Sequence, residues 1–110
     1  MTDTGVIYDV TAEIDRQKEI WGEQNHPSVD PIIVGRGSQR MCEEYEIPTE
    51  VRAKFMCQEA ERKGQLTWAH IAVEELSEAV SAETEEDRRE ELVQLAAVIV
   101  NWIDSIDRNR

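Results

Sequence analysis

Aromatic residues, cysteines and long apolar runs are scarce in this sequence. Aromatic side chains make up 5% of its 110 residues, and the two cysteines, Cys42 and Cys57, form no CxxC motif and accompany no histidine cluster. A zinc site is therefore not indicated, and two lone thiols are typical of a reducing cytoplasm. The N-terminus does not resemble a signal peptide, and no apolar run is long enough to span a bilayer. We therefore expect a cytoplasmic protein without a membrane-spanning segment.

Positive charge is also in short supply. Asp and Glu together number 24 against 12 Lys and Arg, which gives a formal net charge of −12. This charge repels nucleic-acid phosphates and anionic membrane surfaces, so we expect neither a nucleic-acid polymer nor a membrane as partner. The carboxylates have two interpretations. They form solvated faces that keep the protein soluble, or some of them gather a divalent cation that then receives a phosphate ligand.

Apolar residues recur at helical spacing in four segments, which predicts an all-α fold. The length suits one domain that covers residues 1–110. Thr49, Thr67 and Thr84 stand where three of the helices should begin, because a threonine hydroxyl can cap the free N–H groups of a first turn. The predicted helices run from about Asp9 to Gln24, from Thr49 to Lys63, from Thr67 to Glu83, and from Thr84 to the end of the apolar pattern near Ile106.

The segment from Ser28 to Pro48 lacks this periodicity. It contains Pro31, Gly35 and Gly37, which favour turns, and we predict a long irregular loop at about residues 28–48. A loop of this length in a compact domain is often functional. The predicted architecture is therefore an antiparallel bundle of about four helices with one long loop, completed by a second copy of the chain.

The fourth predicted helix is apolar on nearly its whole circumference. Between Leu92 and Ile103 the only polar residues are Gln94 and Asn101. A helix of this kind is buried on most sides, and buried amides need hydrogen-bond partners. Because so short a chain buries only part of its surface alone, we expect a homodimer or homotetramer. The two amides could instead specify the register of that interface.

Two glutamates of the third predicted helix, Glu75 and Glu78, are three residues apart and share one face beside its apolar stripe. Partly buried carboxylates repel each other, and a bound cation would remove that conflict. An antiparallel hairpin would bring Glu91 and Gln94 of the fourth helix opposite this pair, and such hard oxygen ligands suit Mg²⁺ or Mn²⁺. The alternative is that the pair belongs to a solvated helix face, as exposed glutamates usually do.

The spacing of these carboxylates resembles the ExxE…ExxD motif of the MazG-like, all-α nucleoside triphosphate pyrophosphohydrolases. EELSE at residues 74–78 is similar to the first half of the motif, and EELVQ at residues 90–94, followed by Asn101, is similar to the second half. Gln94 stands where the family has an aspartate. The resemblance extends over Thr67 to Ile106 and, more loosely, over Ile14 to Pro27, but not over Ser28 to Lys63.

The resemblance implies a Mg²⁺-dependent enzyme that converts a nucleoside triphosphate into a nucleoside monophosphate and pyrophosphate. Carried over by position, the metal ligands are Glu75, Glu78, Glu91 and Gln94. Because an amide cannot act as a general base, Glu74 or Glu78 is expected to orient the attacking water in place of the family's aspartate. With Gln94 in place of that aspartate, two alternatives stay open: a weakened enzyme, or a nucleotide binder that has lost catalysis.

Four further residues are expected to bind the nucleotide: Trp21, His26, Lys54 and Asn101. Trp21 and His26 lie in a segment similar to the one that precedes the base pocket in the deoxycytidine-triphosphate branch of the family. Lys54 offers a positive charge to the phosphates, and Asn101 occupies a motif position. The alternatives are a core anchor for Trp21, a helix C-terminal cap for His26 and an ordinary surface charge for Lys54.

Three functions therefore stay open at the level of sequence. The first is the pyrophosphohydrolase, the second is a non-catalytic nucleotide-binding protein on the same fold, and the third is an acidic helical module that docks a basic partner. A failure to bind Mg²⁺ or any nucleotide would favour the third. A gain of activity in Gln94→Asp would favour a weakened enzyme over a binder.

Overall fold

The computed structural model describes residues 4–110, and the regular structure in this range is helical throughout. The all-α prediction is therefore confirmed, although the helices number five rather than about four. No helix in the described range is both long and apolar enough to cross a membrane. The helices are α1 (Thr4–Trp21), α2 (Ser38–Glu44), α3 (Glu50–Arg62), α4 (Trp68–Ser81) and α5 (Glu85–Arg108), with a short 3-10 helix at Pro31–Ile33.

Threonine caps begin three of these helices where the sequence predicts them. The Thr49 hydroxyl accepts a hydrogen bond from the N–H of Arg52 at 3.1 Å, and the Thr84 hydroxyl accepts one from the N–H of Asp87 at 3.1 Å. At the start of α4, Thr67 caps the N–H of His70, and the Nδ1 atom of His70 accepts the N–H of Thr67 at 3.1 Å. This reciprocal pair satisfies two donors that a helix start otherwise leaves free.

The prediction of a continuous irregular loop at residues 28–48 is wrong. The segment contains the 3-10 helix and α2, and it buries Ile33, Met41 and Cys42 completely or almost completely. Met41 and Ile33 form the core cluster with Val29, and Val80 of α4 packs against it. A seven-residue helix shows less than two turns of apolar periodicity, so its pattern was too short to distinguish from a loop.

The α4–α5 hairpin is the centre of the fold. Only Ala82, Glu83 and Thr84 join the two helices, so α5 returns antiparallel along α4. α3 and α2 pack against other sides of α4, whereas α1 makes a limited contact with α5. The hairpin therefore fixes which residues of α4 and α5 face each other, and the remaining helices frame it.

The described residues, 4–110, do not cover the outward side of α5. Leu92 is 46% exposed, Val93 55% and Ile99 38%. Gln94 and Asn101 are exposed as well. In the single chain α5 is therefore not buried on most sides, and its coverage by a second copy stays a prediction. The reason is that α4 covers only one side of α5 and α1 adds little.

Candidate metal centre

Three carboxylates meet between α4 and α5. Glu75 and Glu78 lie one turn apart on α4, and Glu91 faces them from α5. Each offers a carboxylate oxygen, and the three oxygens lie within 4.8 Å of one another. All three side chains are partly buried. The hairpin thus brings together three of the four residues that the sequence nominates as metal ligands.

The cluster is crowded with negative charge. Burial, hydrogen bonding to Glu91 and the charge of Glu75 together raise the pKa of Glu78 to about 7. Burial, followed by the charge of Glu91, also raises the pKa of Glu75. Within residues 4–110, the Oε2 atoms of Glu75 and Glu91 are buried without a hydrogen-bond partner. Buried oxygens of this kind are uncommon in folded proteins.

This donor set fits a hard divalent cation. Mg²⁺ and Mn²⁺ prefer carboxylate and other oxygen ligands, and they compensate the repulsion among converging carboxylates. The unpaired Oε2 atoms of Glu75 and Glu91, together with the carboxylate of Glu78, provide oxygens from two helices. Gln94 lies one turn after Glu91 on α5, with its side chain exposed. Its role as a fourth ligand stays a prediction.

Glu74 lies beside the cluster but is directed toward α3. Burial, and then a hydrogen bond to Glu74, raise the pKa of the Cys57 thiol on α3 to about 11. The charge of Glu74 also contributes to the raised pKa of both Glu75 and Glu78. The charge of Glu74 therefore acts on the cluster, although Glu74 is not one of its three residues.

An acidic cleft of about 500 Å³ opens next to the cluster. Every charged residue that lines it is acidic, and the lining contains no Lys or Arg. Glu50 joins it from the start of α3, a contribution that no sequence spacing could have revealed because it depends on how α3 packs. The lining residues are Gly37, Ser38, Glu50, Glu78, Ser81, Ala82, Glu83, Asp87, Glu90 and Glu91.

Arg88 holds the turn between the two helices of the site. This guanidinium is 5% exposed and donates to the carbonyl oxygens of Ala79 at 3.0 Å and Ala82 at 2.8 Å. It also forms an ion pair with Glu85. The last carbonyls of a helix have no partner within the helix, so Arg88 satisfies α4 from the first turn of α5. Sequence reasoning missed it, because its partners are backbone atoms.

The four residues predicted to bind a nucleotide are not gathered at the cleft. Trp21 is 65% exposed at the end of α1, and His26, Lys54 and Asn101 are exposed as well. None of them is among the residues that line the acidic cleft. Lys54 comes nearest in register, because it follows Glu50 by one turn on the same side of α3. Nucleotide binding by these residues stays a prediction.

The alternative interpretations of two of these residues can be compared with the fold. Trp21 does not anchor the core of the single chain, because most of its side chain is exposed. His26 lies five residues beyond the end of α1 at Trp21, too far to belong to its last turn. The end of α1 is closed instead by the N–H of Gly22, which donates to the carbonyl oxygen of Lys18 at 2.8 Å.

Comparison with family models, with curated proteins and with solved structures gives no match to this chain. The resemblance to the MazG-like pyrophosphohydrolases therefore depends on the residues of α1, α4 and α5 named above. The geometry of the carboxylate cluster is independent of that resemblance. It follows from the helical hairpin and from the positions of three glutamates.

Proposed function

We propose that Glu75, Glu78 and Glu91 bind Mg²⁺ or Mn²⁺, and that the protein uses this cation to hydrolyse a nucleoside triphosphate to a nucleoside monophosphate and pyrophosphate. The observation that carries the proposal is the pair of buried, unpartnered Oε2 atoms on Glu75 and Glu91, facing a third carboxylate. Solvated glutamates would not leave buried oxygens without partners.

Charge repulsion supports a cation at this position. An ionised carboxylate is destabilised by burial and by a neighbouring carboxylate, and both causes raise the pKa of Glu75 and Glu78. No Lys or Arg lines the adjoining cleft, so protein cations do not compensate this charge. A divalent cation would compensate it directly and would stabilise the folded chain by the free energy of its binding.

The same cation would make the acidic cleft receptive to phosphate. Without it, the six carboxylates of the lining would repel a triphosphate. When bound, it would supply charge neutralisation on the phosphates and a more acidic water. Lys54, one turn from Glu50 on α3, would add a basic side chain at the edge of the cleft.

Glu74 is the carboxylate best suited to hold the attacking water. A general base needs a free carboxylate within reach of the reacting group. Glu78 belongs to the ligand cluster, whereas Glu74 lies beside it and outside it. In this proposal Glu75, Glu78 and Glu91 bind the cation, with Gln94 as an additional neutral ligand, and Glu74 orients the water.

A second function, nucleotide binding without hydrolysis, is favoured by one observation. Gln94 occupies the position of the family's last motif aspartate, and its side chain is a neutral amide exposed on α5. The loss of one carboxylate lowers the negative charge available to the cation and removes a possible base. A binder would retain the cation and the nucleotide but would not release pyrophosphate.

The test is a panel of ribo- and deoxyribonucleoside triphosphates incubated with Mg²⁺ or Mn²⁺, with nucleoside monophosphate and pyrophosphate separated by chromatography. We expect metal-dependent monophosphate formation that falls by at least about 100-fold in Glu75→Ala, because a metal ligand is lost. Glu86→Ala is the matched control, since Glu86 is an exposed glutamate on α5 that does not line the cleft.

The outcomes of this panel separate the functions. Turnover that Glu75→Ala abolishes and Glu86→Ala retains supports the enzyme. Nucleotide binding without turnover, unchanged in Gln94→Asp, supports a binder, whereas a large gain of activity in Gln94→Asp supports a weakened enzyme. No turnover and no binding of any nucleotide would contradict both and would leave the acidic cleft as a docking site for a basic partner.

A further inference from the structure

A hollow with almost wholly apolar walls lies in the groove between α3 and α4. Its volume is about 210 Å³, and most of its lining side chains are short, so the two helices leave the space unfilled. A buried apolar cavity of roughly 150 Å³ holds a benzene molecule, so this hollow has room for an aromatic ring. The lining residues are Ala53, Met56, Thr67, Ala69, His70 and Val73.

His70 places a hydrogen-bond donor at the wall of this hollow. Its Nδ1 atom accepts the backbone N–H of Thr67 at 3.1 Å and lies 2.6 Å from the Thr67 hydroxyl oxygen. Because a backbone N–H can only donate, Nδ1 carries a lone pair, and the neutral ring holds its proton on Nε2. No group among residues 4–110 accepts that Nε2–H. The capping box of α4 therefore leaves one free donor beside an apolar space.

A second hollow of about 490 Å³ adjoins the first one. The linings of the two hollows share Met56 and His70, so the two spaces meet at these side chains. The second hollow differs from the first in its charge, because Arg52 and Lys63 belong to its lining. The groove between α3 and α4 therefore has an apolar end and a basic end, with His70 between them.

The positive charge of the basic end is not neutralised within the described part of the chain. Arg52 and Lys63 form no ion pair with any of its carboxylates. Glu59, which also lines the second hollow, is paired with Arg62 at 3.0 Å. The guanidinium of Arg52 lies 5.4 Å from the centre of the Phe55 ring, a cation–π contact that holds it at the wall. In a chain of net charge −12, two such cations beside one hollow favour an anionic ligand.

We propose that the groove between α3 and α4 binds a small aromatic carboxylate. The ring occupies the apolar hollow, and the carboxylate accepts the Nε2–H of His70 and faces Arg52 and Lys63. Met56, which lines both hollows, has a flexible thioether that adapts to a ring and makes favourable contacts with it. An inorganic anion would leave the apolar hollow empty, and a neutral ring would leave the two cations without a partner.

This site is separate from the carboxylate cluster. Glu75 and Glu78 meet Glu91 between α4 and α5, and none of the three lines either hollow. Binding of the aromatic acid therefore needs no divalent cation. An experiment in a chelator tests this site alone, whatever the outcome of the nucleotide panel.

The test is a titration of the ¹⁵N-labelled chain with indole-3-carboxylate in a chelator, followed by the NMR shifts of the amides. We expect saturable shifts at Met56, Ala69 and His70, with a Kd below about 1 mM. Indole, which has the ring without the carboxylate, should bind at least about 10-fold more weakly, because the charged hydrogen bond is lost. The absence of saturable shifts at these amides would overturn the proposal. Equal affinities for indole and the acid would overturn the assigned class of ligand.

Ala69→Leu tests the position of the ring. Ala69 is exposed and lines the apolar hollow, so a leucine there occupies the space of the ring without entering the core. The affinities for the acid and for indole should both fall by at least about 10-fold. Ala12→Leu, the same change at an exposed alanine of α1, is the control and should bind the acid as the wild type does.

His70→Glu tests the donor and covers the case in which Ala69→Leu fails to fold. A glutamate at this position can accept the N–H of Thr67, so the capping box is retained, but the Nε2 donor is removed and a negative charge is added. The affinity for the acid should fall by at least about 10-fold, whereas the affinity for indole should change little. Wild-type affinity for the acid in either folded variant would overturn the proposal.

Discussion

Glu78 differs from an exposed surface glutamate in its pKa. Burial and the neighbouring carboxylates of Glu91 and Glu75 favour its neutral form, which raises its pKa to about 7. The spacing of Glu75 and Glu78 indicated a shared face, and the antiparallel hairpin indicated that Glu91 would lie opposite. The buried state of the two Oε2 atoms could not be read from spacing, because it depends on the surrounding side chains.

The raised pKa of Glu78 predicts an unusual dependence of stability on pH in the metal-free protein. Between its ordinary pKa of 4.5 and its folded pKa of about 7, the folded chain holds a proton that the unfolded chain has lost. Stability from this group is therefore full below pH 4.5 and is lost as the pH rises through about 7. Glu78→Gln imitates the protonated form at every pH.

We therefore expect Glu78→Gln to raise the free energy of unfolding of the metal-free protein by about 1 kcal/mol near pH 8 and by much less near pH 5. The measurement is urea unfolding of both proteins in a chelator at the two pH values. The difference between the variant and the wild type isolates Glu78 from the other titrating groups. A difference that is equal at both pH values would show that Glu78 titrates as an ordinary exposed glutamate.

At the scale of secondary structure, the sequence predicts the caps that begin helices but not the contacts between helices. Thr49, Thr67 and Thr84 predicted the starts of three helices correctly, because a cap depends only on residues within the first turn. α2 escaped prediction because seven residues carry too little periodicity. Arg88 escaped because its role depends on the free carbonyls at the end of a different helix.

Arg88 is expected to be the residue that fixes the α4–α5 turn. In Arg88→Ala, the carbonyl oxygens of Ala79 and Ala82 lose a charged donor in a largely buried position. We predict a loss of about 2–3 kcal/mol in the free energy of unfolding, measured by urea denaturation. Cation affinity should fall as well, because Glu91 lies one turn after Arg88 on the same helix.

Arg89→Ala provides the control. Arg89 is the exposed neighbour of Arg88, and its substitution by alanine removes the same charge. Its effect should stay within about 0.5 kcal/mol, as for most surface substitutions. If the two variants lose equal stability, the effect belongs to the charge and not to the contacts with the α4 carbonyls.

At the scale of the whole molecule, the structure differs most from the prediction in the apolar surface that α5 leaves exposed. The all-α class follows from periodicity. The exposure of this side of α5 does not, because periodicity does not say which apolar side of a helix meets another helix. The acidic cleft combines residues from α2, α3, α4 and α5 and the turn between α4 and α5, a grouping that only the tertiary packing creates. Trp21, His26, Lys54 and Asn101 lie outside its lining, so the placement of a nucleotide stays a prediction.

Thermal unfolding in Mg²⁺ and in a chelator tests the central claim, that Glu75, Glu78 and Glu91 bind a divalent cation. Mg²⁺ at a hundred times its Kd should stabilise the folded wild type by about 2.7 kcal/mol, which corresponds to a rise of roughly 10 °C in Tm. Glu91→Gln should melt slightly above the wild type in chelator, because repulsion is relieved, and should gain much less from Mg²⁺. A Tm of the wild type that is the same in Mg²⁺, in Mn²⁺ and in chelator would contradict the account.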